Sequence, residues 1–179
     1  MRPLRHLMKY IKAKGISYDN KHKRNKKDVI FIAIHGTGNK NDTAENNAKY
    51  YATGNKRSAG AHFFADRAGY VVKSIAMERT AWAVGGSKYT DCEKTGGGKL
   101  YGKCTNYNSV SIELCDIVDQ YPSAAQIIAV KEIIKYIRKY CPNAKTVVRH
   151  FDVTGKHCPA SMMDDKSWKR FLKDIGEEG

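Results

Sequence analysis

The chain has 179 residues, a length that suits one compact domain and leaves too little for two. Hydrophobic residues make up 41% and charged residues 28% of the sequence, as in an ordinary globular protein, and the spread of aromatic and β-branched residues along the chain argues against disorder. No stretch is long and apolar enough to cross a membrane, and the net charge of +14 predicts an anionic partner, namely a nucleic acid, a membrane surface or a cell wall.

The N-terminal part begins with a basic segment and continues into a buried strand. Residues 1–27 are rich in Lys and Arg, and the spacing of Leu4, Leu7, Met8 and Ile11 predicts a short helix. The next seven residues form a near-continuous apolar run with several β-branched side chains. Such a run is typical of a central strand that is buried on both faces.

Helical and extended patterns alternate through the rest of the chain. The turn Arg67-Ala-Gly69 predicts a hairpin, and Pro122 and Pro142 bracket the clearest helical pattern. Alternating strands and helices with one hairpin predict an α/β fold, a mixed central β-sheet flanked by helices. In chain order we predict a helix over 42–53, strands over 61–66 and 70–75, a glycine-rich loop over 85–102, a strand over 109–115, a helix over 123–140, a strand over 146–149 and a helix over 161–175.

Five cysteines are present, and their pattern favours neither a disulfide framework nor a zinc ribbon. The odd count argues against full pairing, and the chain has no CxxC motif. Cys92 and Cys104 flank the glycine-rich loop, and the sequence leaves open whether they pair.

Two histidines and one cysteine stand at or just beyond the ends of predicted strands. His35 follows the buried strand over 28–34, and His150 follows the strand over 146–149. Cys158 comes eight residues after His150, in a polar loop. Imidazole and thiolate are good zinc ligands, and three protein ligands leave a fourth position for water, as in catalytic sites. A structural histidine and an incidental cysteine in polar loops are the alternative interpretation.

Two charged residues are candidates for the chemistry beside such a metal. Glu113 lies between Ile112 and Leu114 in a predicted strand, where burial of an unpaired carboxylate is costly. It is a candidate general base, and a solvent-facing Glu on a sheet edge is the alternative. Lys156, two residues before Cys158, is a candidate for stabilising an oxyanion, and one more surface lysine in a basic chain is the alternative.

Five segments together resemble the phage-type N-acetylmuramoyl-L-alanine amidases, the group that shares its fold with peptidoglycan recognition proteins. Each motif alone is weak, but all five in this order, with the His, Lys and Cys spacing of the last, are specific. The resemblance runs from about Val29 to Trp168. The segments are Ile34-His-Gly-Thr-Gly-Asn39, Ser58-Ala-Gly-Ala-His-Phe-Phe-Ala-Asp66, Ala81-Trp-Ala-Val-Gly85, Asn108-Ser-Val-Ser-Ile-Glu-Leu114 and Arg149-His-Phe-Asp-Val-Thr-Gly-Lys-His-Cys-Pro159.

The resemblance implies a complete set of site residues. It implies His35, His150 and Cys158 as the ligands of one Zn²⁺ per chain. It also implies Glu113 as the catalytic carboxylate and Lys156 as the partner of the oxyanion. On this basis we expect the fold of the amidases and peptidoglycan recognition proteins.

Three further positions concern the cleft. Some members of the family carry a tyrosine directly before the histidine of the second motif and use it in catalysis. That position is Ala61 here, so Glu113 is expected to carry the base role alone. The resemblance puts His62 and Trp82 near the cleft, as candidates that line the substrate site or support it.

The activity that the resemblance implies is hydrolysis of the amide bond between N-acetylmuramic acid and L-alanine in bacterial peptidoglycan. A non-catalytic peptidoglycan-binding module of the same fold is the alternative, and the presence of Cys158 favours activity. We expect peptidoglycan as the partner and anionic cell-wall polymers as a second one for the basic surface. Neither nucleic-acid binding nor membrane insertion is expected, because no motif for either is present.

Domain organisation and location follow from the same considerations. We predict a basic, helical extension over 1–27 and a zinc amidase domain over 28–179. The start of the chain lacks the apolar core of a secretory signal. We therefore expect a protein that is made in the cytoplasm without a signal peptide and acts at the cell wall after release, as phage or prophage endolysins do.

Overall fold

A computed structural model describes residues 8–177 and has a six-stranded mixed β-sheet at its centre. The strands are β1 (Met8–Tyr10), β2 (Phe31–Gly36), β3 (Phe63–Ala65), β4 (Val71–Lys73), β5 (Ser109–Leu114) and β6 (Thr146–Arg149). They lie in the order β1-β4-β3-β5-β2-β6. All neighbours are parallel except β3 and β4, which form the antiparallel pair of the predicted hairpin.

Helices cover both faces of this sheet, so the predicted α/β architecture is confirmed. Side chains at N-caps fix two of the starts: the hydroxyls of Thr43 and Ser123 each accept a hydrogen bond from a backbone N–H three residues later. The helices among residues 8–177 are α1 (Ala44–Lys49), which continues into a π-helical turn (Tyr50–Gly54), α2 (Cys92–Thr95), α3 (Ala124–Tyr140), α4 (His150–Thr154) and α5 (Asp165–Ile175). None of them is long and apolar enough to cross a membrane.

The two faces of the sheet differ because the central strands alternate in character. In β5, Val110, Ile112 and Leu114 point to one face, where they join the main core with α3 and α5. The residues between them, including Ser111 and Glu113, point to the opposite face. One face is therefore largely apolar, although Arg149 of β6 and Lys73 of β4 also lie on it, while the other carries polar groups toward the carboxyl ends of the strands.

The polar face is covered by short helices and loops. On α1, Ala48 packs beside Phe64 of β3, and on α4, Val153 packs against Ala33 and Val148 of the sheet. Because these covers are short, they leave a groove between them at the carboxyl ends of the central strands. This groove is where the predicted site residues emerge.

The glycine-rich segment between β4 and β5 is ordered against α4. The backbone N–H groups of Tyr89 and Gly98 donate to the carbonyl oxygens of Thr154 and Phe151, at 2.8 and 2.9 Å. These bonds supply partners that the short helix α4 cannot provide within itself. The long predicted loop thus stabilises the segment that carries His150 through these backbone hydrogen bonds.

The predicted helix near the N-terminus is wrong where the structure describes it. Leu4 and Leu7 lie outside the described residues. Residues 8–10 form strand β1, whose residues run parallel to β4 with Met8 opposite Val71, and Ile11 continues the backbone hydrogen bonding. The open edge of β4 offers a row of backbone donors and acceptors, which outweighs the weak helical spacing of a few apolar residues.

The rest of the N-terminal segment also packs against the domain. Tyr18 forms a bridge with Ala81, and Ser17 is fully buried and accepts a hydrogen bond from the N–H of Trp82 through its carbonyl oxygen. Arg24 is only 4% exposed. The domain boundary at residue 27 stays a prediction, although the segment before it contributes a strand to the sheet.

The other predicted elements are present with shifted ends. Strand β2 runs to Gly36, so His35 lies within the strand rather than in the loop after it. His150 opens helix α4 instead of standing in a loop, and α5 begins at Asp165. All five cysteines are free and buried, so Cys92 and Cys104 are not paired.

Candidate metal centre

Strand register brings His35 and Glu113 side by side. Strands β2 and β5 are parallel neighbours in which His35 is directly opposite Glu113, both on the polar face of the sheet. The His35 Nδ1 and the Glu113 Oε1 are 4.0 Å apart, and the His35 ring is almost fully buried. A histidine and a carboxylate that are 78 residues apart in sequence thus share one position at the groove floor.

His150 and Cys158 reach the same position from the segment after β6. His150 is the first residue of α4, and its ring centroid lies 4.7 Å from that of His35. The Cys158 Sγ is 3.9 Å from the His35 Nδ1. One ligand atom from each of the three side chains can be chosen so that all lie within 4.8 Å of one another. This brings together the three predicted metal ligands.

Several polar atoms at this position lack partners among the described residues. Both ring nitrogens of His150, the Nε2 of His35 and the Oε2 of Glu113 are buried without a hydrogen bond to the described residues. Buried polar atoms without a partner are costly and rare in folded proteins. Two imidazoles with such orphaned nitrogens, beside the Cys158 thiol, fit a Zn²⁺ ion, whose bonds to nitrogen and sulfur are about 2.0 and 2.3 Å long.

Burial shifts the pKa of each ligand. Desolvation lowers the pKa of His35 well below its usual value, and His150 and Lys156 add positive charge that lowers it further. Desolvation lowers the pKa of His150 to about 4, and the charge of Lys156 contributes. Both imidazoles are therefore neutral near pH 7, with lone pairs free to bind a metal. Desolvation raises the pKa of the Cys158 thiol to about 12, with the charge of Glu113 adding to the rise.

Glu113 occupies the interior side of the groove and not a solvent-facing edge. Desolvation raises the pKa of its carboxyl group to about 7, and the nearby charge of Lys156 opposes this rise. A carboxyl group with a pKa near the working pH both accepts and releases protons readily. Glu113 is therefore a half-buried carboxylate inside the groove, and its role as the general base stays a prediction.

Lys156 stands at the centre of the groove. It follows Gly155, which adopts a φ of +85° and ends helix α4. Its side chain is exposed, in contrast to the buried ligands. Lys156 lines a cavity of about 580 Å³ on the His150 side and another of about 600 Å³ on the Glu113 side. One cation therefore borders both halves of the groove, as expected for a residue that meets substrate above the metal centre.

Trp82 lines the groove, whereas His62 is buried in the interior. Trp82 lines the cavity on the His150 side and is partly exposed. His62 is 1% exposed, with its ring nitrogens near the Ser111 hydroxyl at 3.1 Å and the Arg24 guanidinium at 3.0 Å. His62 is thus an interior residue that links β3, β5 and the N-terminal segment, and its support of the site stays a prediction.

Sequence reasoning missed several residues of the groove walls. Asn106 lines the cavity on the His150 side, and its Oδ1 accepts hydrogen bonds from the N–H groups of Ala83 and Val84, at 3.0 and 2.8 Å. Tyr51 and Arg57 line the cavity on the Glu113 side. These residues come from loops and a π-helical turn, where no periodic pattern distinguishes a groove wall from an ordinary surface.

Comparison with known proteins shows the family of this chain. A family model for N-acetylmuramoyl-L-alanine amidases matches residues 25–161. The N-acetylmuramoyl-L-alanine amidase XlyB of Bacillus subtilis (strain 168) is 26% identical over 150 residues, which are 83% of this chain and 42% of the relative. The chain spans less than half of the length of the curated relatives it matches.

Solved structures show the same fold at low sequence identity. The structure of PlyL is 19% identical, covers 98% of this chain and 97% of its own, and has a TM-score of 0.69. The catalytic domain of XlyA is 20% identical, covers 94% of this chain and 99% of its own, and has a TM-score of 0.68. With a family model that matches most of its length, the chain belongs to the N-acetylmuramoyl-L-alanine amidase family.

Proposed function

We propose that this chain is a zinc-dependent amidase that hydrolyses the bond between N-acetylmuramic acid and L-alanine in peptidoglycan. The observation that carries the proposal is the convergence of His35, His150 and Cys158 at the groove floor, with Glu113 beside them. Membership of the amidase family supports the reaction and the substrate. The names of the relatives support the same activity.

In this proposal the two imidazoles and the Cys158 thiolate hold one Zn²⁺ per chain. When bound at such a site, zinc polarises a carbonyl oxygen and makes a water molecule more acidic. The neutral state of His35 and His150 suits them as ligands, since a protonated imidazole offers no lone pair. Three ligands from the protein leave room for water and substrate.

Glu113 and Lys156 supply the proton transfer and the charge stabilisation. The unpartnered Oε2 of Glu113 accepts a proton from the attacking water and then passes it to the nitrogen of the leaving amine. The exposed Nζ of Lys156 donates a hydrogen bond to the carbonyl oxygen of the substrate as negative charge develops there. Trp82 forms part of the wall against which the substrate lies.

We place this activity at the bacterial cell wall, as in a phage or prophage endolysin. The net charge of +14 on the chain favours attraction to anionic wall polymers, which raises the local concentration of enzyme near its substrate. Structural relatives described as endolysins share the fold. In this account the protein is made in the cytoplasm and meets peptidoglycan once the membrane has been opened.

The experiment is to digest purified peptidoglycan and to measure new N-terminal alanine and bound zinc together. We expect the parent protein to bind one zinc and to release alanine termini. Glu113→Gln should keep zinc and lose activity by about 10²-fold or more, because it removes the proton acceptor. Cys158→Ala should lose both zinc and activity. Cys141→Ala is the matched control, since Cys141 is buried at the end of α3 on the opposite face, and it should keep both.

A non-catalytic wall-binding module makes a different prediction in the same experiment. Such a module would bind zinc and peptidoglycan but release no alanine termini under any condition. Stoichiometric zinc without release by the parent protein would therefore overturn the proposed hydrolysis and favour the binding module. Release that persists unchanged in Cys158→Ala would overturn the proposed ligand set instead.

A further inference from the structure

The cation at the centre of the groove is held through its backbone and not through its side chain. Within residues 8–177 the Lys156 Nζ makes neither a hydrogen bond nor an ion pair. The backbone N–H of Lys156 donates to the Thr154 hydroxyl at 3.3 Å, and its carbonyl oxygen accepts from the N–H of Cys158 at 2.6 Å. The place that the ammonium group can reach is therefore set by the point at which the side chain leaves the end of α4.

The glycine-rich segment between β4 and β5 covers this end of the helix. The backbone N–H of Tyr89 donates to the carbonyl oxygen of Thr154 at 2.8 Å, and the Cys92 Sγ donates to the same oxygen at 3.5 Å. The backbone of Gly97 comes so close that a Cβ there would stand 2.8 Å from the Cα of Gly155. Because the two stretches of backbone are in direct contact, a shift of the segment displaces the end of α4.

The sulfur of Cys92 fills the space beside Gly155. Cys92 is buried, and a Cβ built on Gly155 would overlap with its Sγ. A Cβ on Gly98 would stand 2.8 Å from the same sulfur. The sulfur is thus enclosed by two glycines and has no room to grow. The size of the side chain at position 92 therefore determines where the backbone of Gly155 lies.

We propose that Cys92 is a positioning residue for Lys156, which it places by packing against Gly155 at the end of α4. This inference rests on the proposed function, in which Lys156 stabilises the oxyanion. Cys92 does not line the cavity on the His150 side and acts only through the backbone that carries the lysine. Such an effect can be large, because a displacement of about 1 Å at a reacting group can cost about 10²-fold in rate.

The test combines substitutions of Cys92 with Lys156→Met and measures hydrolysis of a soluble muropeptide by zinc-loaded protein. Cys92→Leu should displace Gly155 and lower kcat by about 10²-fold with KM nearly unchanged, because Lys156 acts in the transition state. In the Lys156→Met background the same substitution should change kcat by less than about twofold, since the lysine through which it acts is gone. Zinc should stay at one per chain in every variant.

Three further variants separate positioning from general damage to the fold. Cys92→Ser keeps the size and a donor toward the Thr154 carbonyl, and it should restore the parent kcat. Cys92→Ala cannot overfill the site, and it should lower kcat in the parent background but not in Lys156→Met. Cys141→Leu is the matched control: it overfills another buried cysteine, in the main core beyond the sheet, and should keep the parent kcat even where it lowers stability.

The outcomes distinguish this inference from the function beneath it. If the parent protein does not hydrolyse the muropeptide, the proposed function is wrong and the inference is wrong with it. If the parent is active but neither Cys92→Leu nor Cys92→Ala lowers kcat, the amidase function stands and the role of Cys92 is overturned. The role is also overturned if their effects persist in full in Lys156→Met, if zinc is lost together with kcat, or if Cys141→Leu loses as much activity.

Discussion

At the scale of single residues, burial decides the state of the groups at the groove floor. His35 and His150 are kept neutral by desolvation, and the same effect raises the pKa of Glu113 to about 7. The one exposed member of the group is Lys156, whose charge lowers the pKa of both histidines. The candidate site thus combines two buried, uncharged histidines with an exposed cation at the surface.

Replacement of Lys156 tests its proposed role directly. Lys156→Met should keep zinc at one per chain, because Lys156 is exposed and is not among the three clustered donors. It should lower kcat by about 10²–10³-fold, the range found when one donor to a developing oxyanion is removed. The measurement is release of N-terminal alanine from purified peptidoglycan by zinc-loaded protein. Lys166→Met, an equally exposed lysine on α5, is the control and should keep the parent rate. Equal rates for the two variants would contradict the role of Lys156.

The sequence identified the candidate metal ligands but not the contacts between them. His35, His150 and Cys158 could be named because they follow strand patterns and match a family motif. Their meeting depends on the register of β2, β5 and β6, which no local pattern determines. The surroundings of His62 could not be predicted, because a histidine next to a strand pattern looks the same in sequence whether its side chain faces a groove or, as here, a buried arginine.

At the scale of elements, the N-terminal segment does more than extend the chain. Strand β1 lengthens the sheet, and the buried Ser17 carbonyl holds the backbone of Trp82 at the groove wall. Gly60 lies so close to this carbonyl that a Cβ there would stand 2.6 Å from it, so only glycine fits. This segment therefore helps to shape the groove, whose floor is formed by the later strands.

Arg24 is the strongest link between this segment and the rest of the fold. Its guanidinium donates to the carbonyl oxygens of Met77, Tyr107 and Ser109 and contacts His62. Burial lowers its pKa to about 10, so it stays charged at neutral pH. One side chain thus joins the N-terminal segment, the turn after β4 and the start of β5.

Removal of this link should lower stability substantially. Arg24→Met keeps the length of the side chain but leaves several buried carbonyl oxygens without a donor, and we expect the free energy of unfolding to fall by about 3 kcal/mol. Urea denaturation followed by circular dichroism measures the change. For Lys23→Met, at the exposed neighbouring position, the free energy of unfolding should fall by less than about 0.5 kcal/mol. An Arg24→Met variant as stable as Lys23→Met would show that the link is not needed.

The elements themselves were predictable where their patterns are long. The apolar face of α3 repeats over several helical turns, and the alternation of side chains in β5 repeats over several residues. These long patterns identify the helix and the strand. The strand β1 has three residues, and only pairing with β4 makes it a strand. Helix α4 has five, and its hydrogen bonds to the glycine-rich segment hold it in place, so neither was visible in the sequence alone.

At the scale of the whole molecule, the excess of positive charge is the dominant surface property. The chain has 32 Lys and Arg residues against 18 Asp and Glu residues. Some pair across the surface, as Lys9 does with Glu45, but such exposed pairs contribute little to stability. The remaining charge creates a long-range field that favours an anionic surface such as a cell wall.

Wall binding should therefore weaken as salt is added. Because the screening length falls from about 10 Å at 0.1 M to about 3 Å at 1 M salt, the bound fraction of a Glu113→Gln variant should drop steeply over this range. Co-sedimentation with purified walls measures it without digestion of the wall. Walls stripped of their phosphate polymers serve as the control and should bind weakly even at low salt. Binding that is unchanged by salt would contradict a role for the surface charge.

In the proposed site, two imidazoles and one thiolate from distant parts of the chain share a single zinc ion. X-ray absorption at the zinc edge of the purified protein tests this ligand set. We predict one zinc per chain with two nitrogen neighbours at about 2.0 Å, one sulfur neighbour at about 2.3 Å and one further light atom. The sulfur neighbour should disappear in Cys158→Ala and persist in Cys141→Ala. Stoichiometric zinc without a sulfur neighbour, or a sulfur signal that survives in Cys158→Ala, would contradict the account.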